Sequence, residues 1–176
     1  DGVNDSIATP SFPTGTIDQT DTIVIARATV SNARIFDGIL DEVRVYNRAL
    51  SSSEVASLYR ASARELGSKI NASPTDKLTS GLVGYWTMDG KNINWATGAV
   101  SDLSGSGNNG NQGNMSTSTS PTAGMAGQAL RFDGSNDFIQ VPSSASLQPG
   151  TGNWTVSFWI KRLGIGGSDW PQIIGA

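Results

Sequence analysis

The chain has 176 residues, about one domain's worth, with 15 acidic and 12 basic side chains and a formal net charge of −3. It contains no cysteine and no histidine, which excludes disulfides, thiolate nucleophiles, Cys-ligated zinc, Ser-His-Asp triads and imidazole bases. Charged residues are only 15% and glycines number 21, a loop-rich β profile of the secreted type; a mildly acidic chain also lacks the basic face that nucleic acid requires. No stretch reaches the roughly 18 apolar residues of a membrane span. The polar start Asp1-Gly2-Val3-Asn4-Asp5 has no initiator Met and no signal peptide. It reads as a cut through a larger protein.

Residues 20–29 alternate around Ile23 and Ile25 and predict a strand. Asp37-Gly38 signals a turn. Residues 39–47 predict a second strand, with Val43 and Val45 inward and Glu42, Arg44 and Tyr46 on the other face. The period then changes. Ser51 with Glu54 makes a capping box, and Val55, Leu58, Tyr59, Ser62 and Leu66 follow at helical spacing to a stop at Gly67. That helix is expected to pack on a sandwich edge or to bridge consecutive domains. Residues 67–80 read as a linker.

A second β region opens at Gly81, where Leu82, Val83, Tyr85, Trp86 and Met88 predict a strand covered on both faces. Residues 101–124 are rich in Ser, Gly, Asn and Thr and are expected to be loop that supplies no core. Residues 128–132 and 137–141 predict strands around Asp133-Gly134. Residues 153–161 predict the clearest strand, with Trp154, Val156, Phe158 and Ile160 on one face and Thr155, Ser157, Trp159 and Lys161 on the other. A last strand is expected from Pro171 to Gly175. Many short strands with Gly-rich turns and one helix predict an all-β fold: a two-sheet antiparallel sandwich with one peripheral α-helix.

Four strings carry a resemblance. Phe36 to Ser51 is similar to the closing strand and trailing helix of a LamG-like jelly-roll domain of the concanavalin A-like lectin/glucanase superfamily. Gly81 to Asp89 resembles that family's opening strand, Asp102 to Gly110 its Asp-x-Ser-Gly-Asn-Gly loop, and Gln128 to Asp137 with Trp154 to Trp159 its next strands. The resemblance implies a jelly-roll sandwich. The order is unusual, because the closing segment precedes the opening one. Residues 1–66 are therefore expected to be the back part of one repeat, and 81–176 the front part of the next. The alternative is a single permuted sandwich, which close domain termini allow. Asp1-Gly2-Val3-Asn4-Asp5-Ser6-Ile7 also echoes Asp133-Gly134-Ser135-Asn136-Asp137-Phe138-Ile139. It is either an internal repeat or, the preferred reading, the tip of a late hairpin.

The superfamily includes glucanases, which need two carboxylates about 5–9.5 Å apart. The one adjacent acidic pair is Asp41-Glu42, and neighbours on a strand point to opposite faces. The glucanase Glu-x-Asp-x-x-Glu string is missing, so no enzyme activity is expected. Calcium takes roughly six to eight oxygens. By the resemblance, the matching positions for a calcium ion are Asp41, Asp89, Asp102 and Asn108. The competing reading has Asp41 solvated or paired with Arg44, and Asp102 capping a turn.

Sugar binding needs an aromatic platform. Trp159 on a polar face, with Trp95 and Trp170 in loops, are the candidates, although burial under a loop is the favoured reading for Trp159. N-glycosylation tripeptides at Asn4, Asn71, Asn114 and Asn153 are at chance frequency for this composition. The expected function is a non-catalytic extracellular or cell-surface module for carbohydrate or another surface ligand. The alternative is a structural or adhesive repeat that associates with neighbouring copies head to tail or by strand exchange, since open strand edges pair with available strands.

Overall fold

The computed structural model describes residues 22–28, 34–65, 77–148, 152–164 and 172–175. Its strands are β1 (Ile23–Ile25), β2 (Asp37–Tyr46), β3 (Leu82–Trp86), β4 (Ile93–Asn94), β5 (Ala99–Val100), β6 (Gly110–Gly113), β7 (Pro121–Ala123), β8 (Gln128–Asp133), β9 (Phe138–Val141), β10 (Thr155–Arg162) and β11 (Ile174–Gly175). One helix, α1 (Ser52–Glu65), follows β2. The first sheet has the order β11-β1-β9-β6-β5-β4, and the second has β10-β2-β8-β7, with β3 also on β2. Every strand pairing among the described residues is antiparallel. Among the described residues the fold is the expected two-sheet jelly-roll sandwich with a single α-helix.

Both sheets mix strands from the two ends of the chain. β2 receives β10 along one edge, from Thr155 opposite Tyr46 to Arg162 opposite Gly38. On its other edge it takes β8 over Asp37–Leu40 and β3 over Val43–Tyr46. β1 is held between β9 and β11. One apolar cluster fills the space between the sheets. Ile23, Ile25, Phe36, Leu40, Val43 and Val45 meet Trp86, Leu130, Phe132, Ile139 and Val141 there.

The helix starts where the capping box predicts. The Ser51 Oγ accepts the Glu54 N–H at 3.3 Å, and the Glu54 carboxylate takes the Ser51 N–H at 2.8 Å. Arg48 donates to both Glu54 oxygens at 3.0 and 2.8 Å. Its guanidinium and Ser51 hold the Glu54 carboxyl at about 2. Tyr59 places its ring 5.5 Å from that of Trp159, so the helix lies over the outer face of β10. Most of the expected linker, Gly67 and the first twenty-one residues lie outside the described residues.

Two expectations are corrected. Residues 101–124 are not simply loop. They contain β6 and β7, and Asn108, Met115 and Ser120 are buried. Hydrogen bonding between short polar strands orders a segment that has no apolar pattern to announce it. The alternation along β2 also breaks. Ser157 pairs with Arg44 but Trp159 with Asp41, so Phe158 of β10 alone stands opposite Glu42 and Val43 of β2. Glu42 sits at the break with φ 56°, the left-handed conformation of a β-bulge. Leu40 and Val43 both enter the core. Asp41 and Glu42 are therefore not on opposite faces, as strict alternation demands, and both are turned from the apolar core.

Candidate functional site

A polar pocket lies at the end of the second sheet. It has a volume of about 140 Å³ and is lined by Thr119, Ser120, Arg131, Asp133 and Asp137. The walls follow from local structure. Arg131 is on the solvent side of β8, between the core residues Leu130 and Phe132. Its backbone N–H donates to the Ser120 carbonyl at 2.7 Å, which brings the 116–120 turn alongside. The β8–β9 turn is braced by its own aspartates. Asp133 Oδ1 accepts the N–H groups of Ser135 and Asn136 at 2.8 and 3.2 Å, an Asx turn. Asp137 Oδ2 reaches back to the Asp133 N–H at 3.1 Å.

Asp137 is the unusual group of this pocket. It is only 5% exposed. Burial, and then the charge of Asp133, push its carboxyl up to about 6. Near neutral pH the pocket therefore holds two carboxylates, one guanidinium and the hydroxyls of Thr119 and Ser120. None of these five residues was among the sequence-based candidates. The available signal was two aspartates four apart around a Gly turn, read only as turn chemistry.

The four residues expected to share calcium stand in two groups. Asp41 and Asp89 grip the turn between β7 and β8 from two sides. Asp41 Oδ2 accepts the N–H groups of Met125 and Ala126 at 2.6 and 3.0 Å, and Asp89 Oδ1 accepts that of Gln128 at 2.8 Å. Gly127 has φ +71°, and a Cβ there would lie 2.9 Å from Asp89 Oδ1, so the grip requires glycine. Asp41 Oδ1 is buried without a hydrogen-bond partner. Its carboxyl is pushed up to about 6, chiefly by burial, with Glu42 and Asp89 adding.

Asp102 and Asn108 belong to another loop. The Asp102 oxygens accept from Tyr85 N, Ser104 N, Ser104 Oγ and Asn108 N at 2.8–2.9 Å. The Asn108 amide donates to the Val83 carbonyl at 2.6 Å and to Ser146 at 2.8 Å. Four protein donors occupy the lone pairs that an ion would need. Among the described residues no group of three or more acidic side chains is gathered that could hold a metal ion. As placed, the four residues do not fit a calcium cage of roughly six to eight oxygens.

Glu42 is buried at the bulge itself. It is ion-paired with Arg44 and accepts the Tyr85 hydroxyl at 2.9 Å. Among the tryptophans, Trp159 is half-buried against Tyr59. Trp95 packs partly on the core and donates its indole N–H to the Gly90 carbonyl at 3.0 Å. Trp170 lies outside the described residues. The three are thus not gathered into one aromatic platform by anything described.

β1 and β2 fall within the segment that matches a known family. Residues 1–56 match the concanavalin A-like lectin/glucanases superfamily. The superfamily match covers 56 of 176 residues, including β1, β2 and the start of α1. The remaining strands join that superfamily segment through the sheets: β3, β8 and β10 hydrogen-bond to β2, and β9 and β11 to β1. No curated protein and no solved structure matches the chain. Among the described residues no helix is long and apolar enough to cross a membrane.

Proposed function

We propose that the chain is a non-catalytic extracellular module that binds carbohydrate or another polyhydroxylated surface ligand. The observation that carries this reading is the pocket between the 116–120 turn and the β8–β9 hairpin. Carboxylates, hydroxyls and a guanidinium converge there on one concavity, and these groups match the hydroxyls of a sugar. The superfamily includes lectins, which supports the same reading. For a non-catalytic role, Glu42 spends its oxygens on Arg44 and Tyr85, and Asp41 spends one on two backbone N–H groups.

A glycan array probed with and without chelator tests the proposal. Wild-type protein is expected to retain defined glycans, and Asp137→Asn to lose them. Unchanged retention by the variant, or none by wild type, overturns the pocket as the site. Signal lost with chelator alone would bring calcium back into the account.

A second reading has its own observation. β10 is the edge strand of its sheet among the described residues, and Ile160 on it is 46% exposed. An unpaired apolar edge favours pairing with another copy, as a structural or adhesive repeat would use. Equilibrium sedimentation should then show self-association that Ile160→Lys reduces. A strictly monomeric wild type at high concentration would end this second reading.

A further inference from the structure

Among the described residues, β1 and β2 form their ladders only with strands that follow residue 81. β1 lies between β9 and β11, and β2 takes β3, β8 and β10. Within residues 22–65 the one strand contact among the described residues is the Arg27–Ile35 bridge. Lifting β1, β2 and α1 out would part β9 from β11 in the first sheet, and β3, β8 and β10 from one another in the second. It would also bare Trp86, Leu130, Phe132, Ile139 and Val141 in the core. The strands from β3 to β11 are thus an acceptor with a strand-shaped gap in each sheet, and open edges over apolar side chains demand a strand. The gaps are selective. β2 passes so close to β10 that a Cβ on Gly38 would lie 2.5 Å from the Lys161 carbonyl oxygen. The left-handed Glu42 answers the register break opposite β10. The Thr155 hydroxyl then locks the end of β2, donating to the Arg48 carbonyl at 2.9 Å and accepting the Leu50 N–H at 3.2 Å. A segment with this fit is carried by every other copy of the chain, and residues 66–76 are the covalent tie between the two parts.

We propose that β1, β2 and α1 form a donor segment exchanged between copies, the segment of one copy completing the acceptor of another. An exchanged pair makes the same hydrogen bonds as the single chain, so exchange costs little beyond association. It also bears on the proposed site. β8 and β9 frame the pocket residues Arg131, Asp133 and Asp137 and pair with β2 and β1, so the partner copy's segment backs the pocket in an exchanged pair. The inference is independent of the β10-edge association, which uses the other edge of β10 and leaves the β2–β10 pairing within one chain.

The test uses two full chains with one cysteine each, Ile39→Cys and Lys161→Cys, in a protein that has none of its own. The two positions face each other across β2 and β10, the first half-buried and the second exposed. The chains are unfolded in urea, mixed, refolded and oxidised. A short tie holds two parts at an effective concentration on the order of 1 mM, so refolding at about 1 mM should link a large share of chains through 39–161 disulfides, and refolding at about 0.01 mM few. Products limited to 39–39 and 161–161 disulfides overturn the inference, and self-association of that kind leaves the β10-edge reading in place. A second pair of chains decides the matter if oxidation distorts the strands. Val43→Asp in the donor and Phe132→Asp in the acceptor each put a carboxylate at a fully buried site, and each chain alone should unfold. Refolded together, the intact donor of one and the intact acceptor of the other should restore a native near-ultraviolet circular dichroism signal in a two-chain species by sedimentation. A mixture as unfolded as its components overturns the inference.

Discussion

Trp86→Ala is expected to destabilise the protein by roughly 3–5 kcal/mol, the usual cost of emptying a large aromatic site in a core. Trp86 is fully buried and heads the largest side chains in that state. It pairs with Val43 across β3 and β2, and its indole N–H donates to the buried Asn108 carbonyl at 3.0 Å. The side chain therefore touches the matched segment, the opening strand and the Gly-rich loop together. Trp86→Phe keeps most of the apolar volume but leaves that carbonyl unpaired, so a smaller loss of about 1–2 kcal/mol is expected. Urea unfolding of the three proteins checks both values. A loss under about 1 kcal/mol for the alanine variant would show that β3 is not cooperatively joined to β2.

Stability should fall as the pH rises from about 4 to about 6. Asp41 and Asp137 both have folded-state carboxyls near 6, raised from 3.8. Between those values the folded chain binds more protons than the unfolded one, so the slope of unfolding free energy against pH is negative. Below the range both carboxyls are protonated in either state and stability is at its highest. Above it both are ionised and the full loss is present. Each group contributes on the order of 2–3 kcal/mol. Asp41→Asn should remove about half of this dependence, because an amide oxygen can still accept from Met125 and Ala126. Melting temperatures across pH 4–8 in the presence of chelator measure the effect. A profile that rises toward neutrality, or one that the variant leaves unchanged, would contradict the assignment to Asp41.

The strands with strong alternation were legible before the fold was known. The 39–47 prediction became β2 at Asp37–Tyr46, and 153–161 became β10 at Thr155–Arg162. The capping box placed the start of α1 within a residue. β6 and β7 were not legible, because Gly110–Gly113 and Pro121–Ala123 contain no large apolar side chain and are ordered by their neighbours' hydrogen bonds. The bulge at Glu42 was equally hidden. It depends on pairing with β10, and an Asp-Glu step inside an apolar run looks like ordinary alternation.

The candidate site divides in the same way. Asp41 and Asp89 were singled out as individual residues, yet their common role in gripping the β7–β8 turn depends on strands far apart in sequence. Asp102 was already weighed as a turn cap, and the donors around it fit that role. The Asp137 pocket depends on the 116–120 turn meeting the β8–β9 hairpin, a contact between segments with no shared pattern.

The sequence by itself determined the chemistry available: carboxylate, amide, hydroxyl and indole groups, with neither thiol nor imidazole. It also determined the sandwich class and the superfamily likeness, since alternation and turn residues act over a few neighbours. Only the tertiary structure decided which strands share an edge, where β2 bulges and which acids lie together. Those outcomes rest on backbone hydrogen bonds and burial between residues far apart in the chain, as far as Val24 from Gly175, and local sequence pattern carries no record of them.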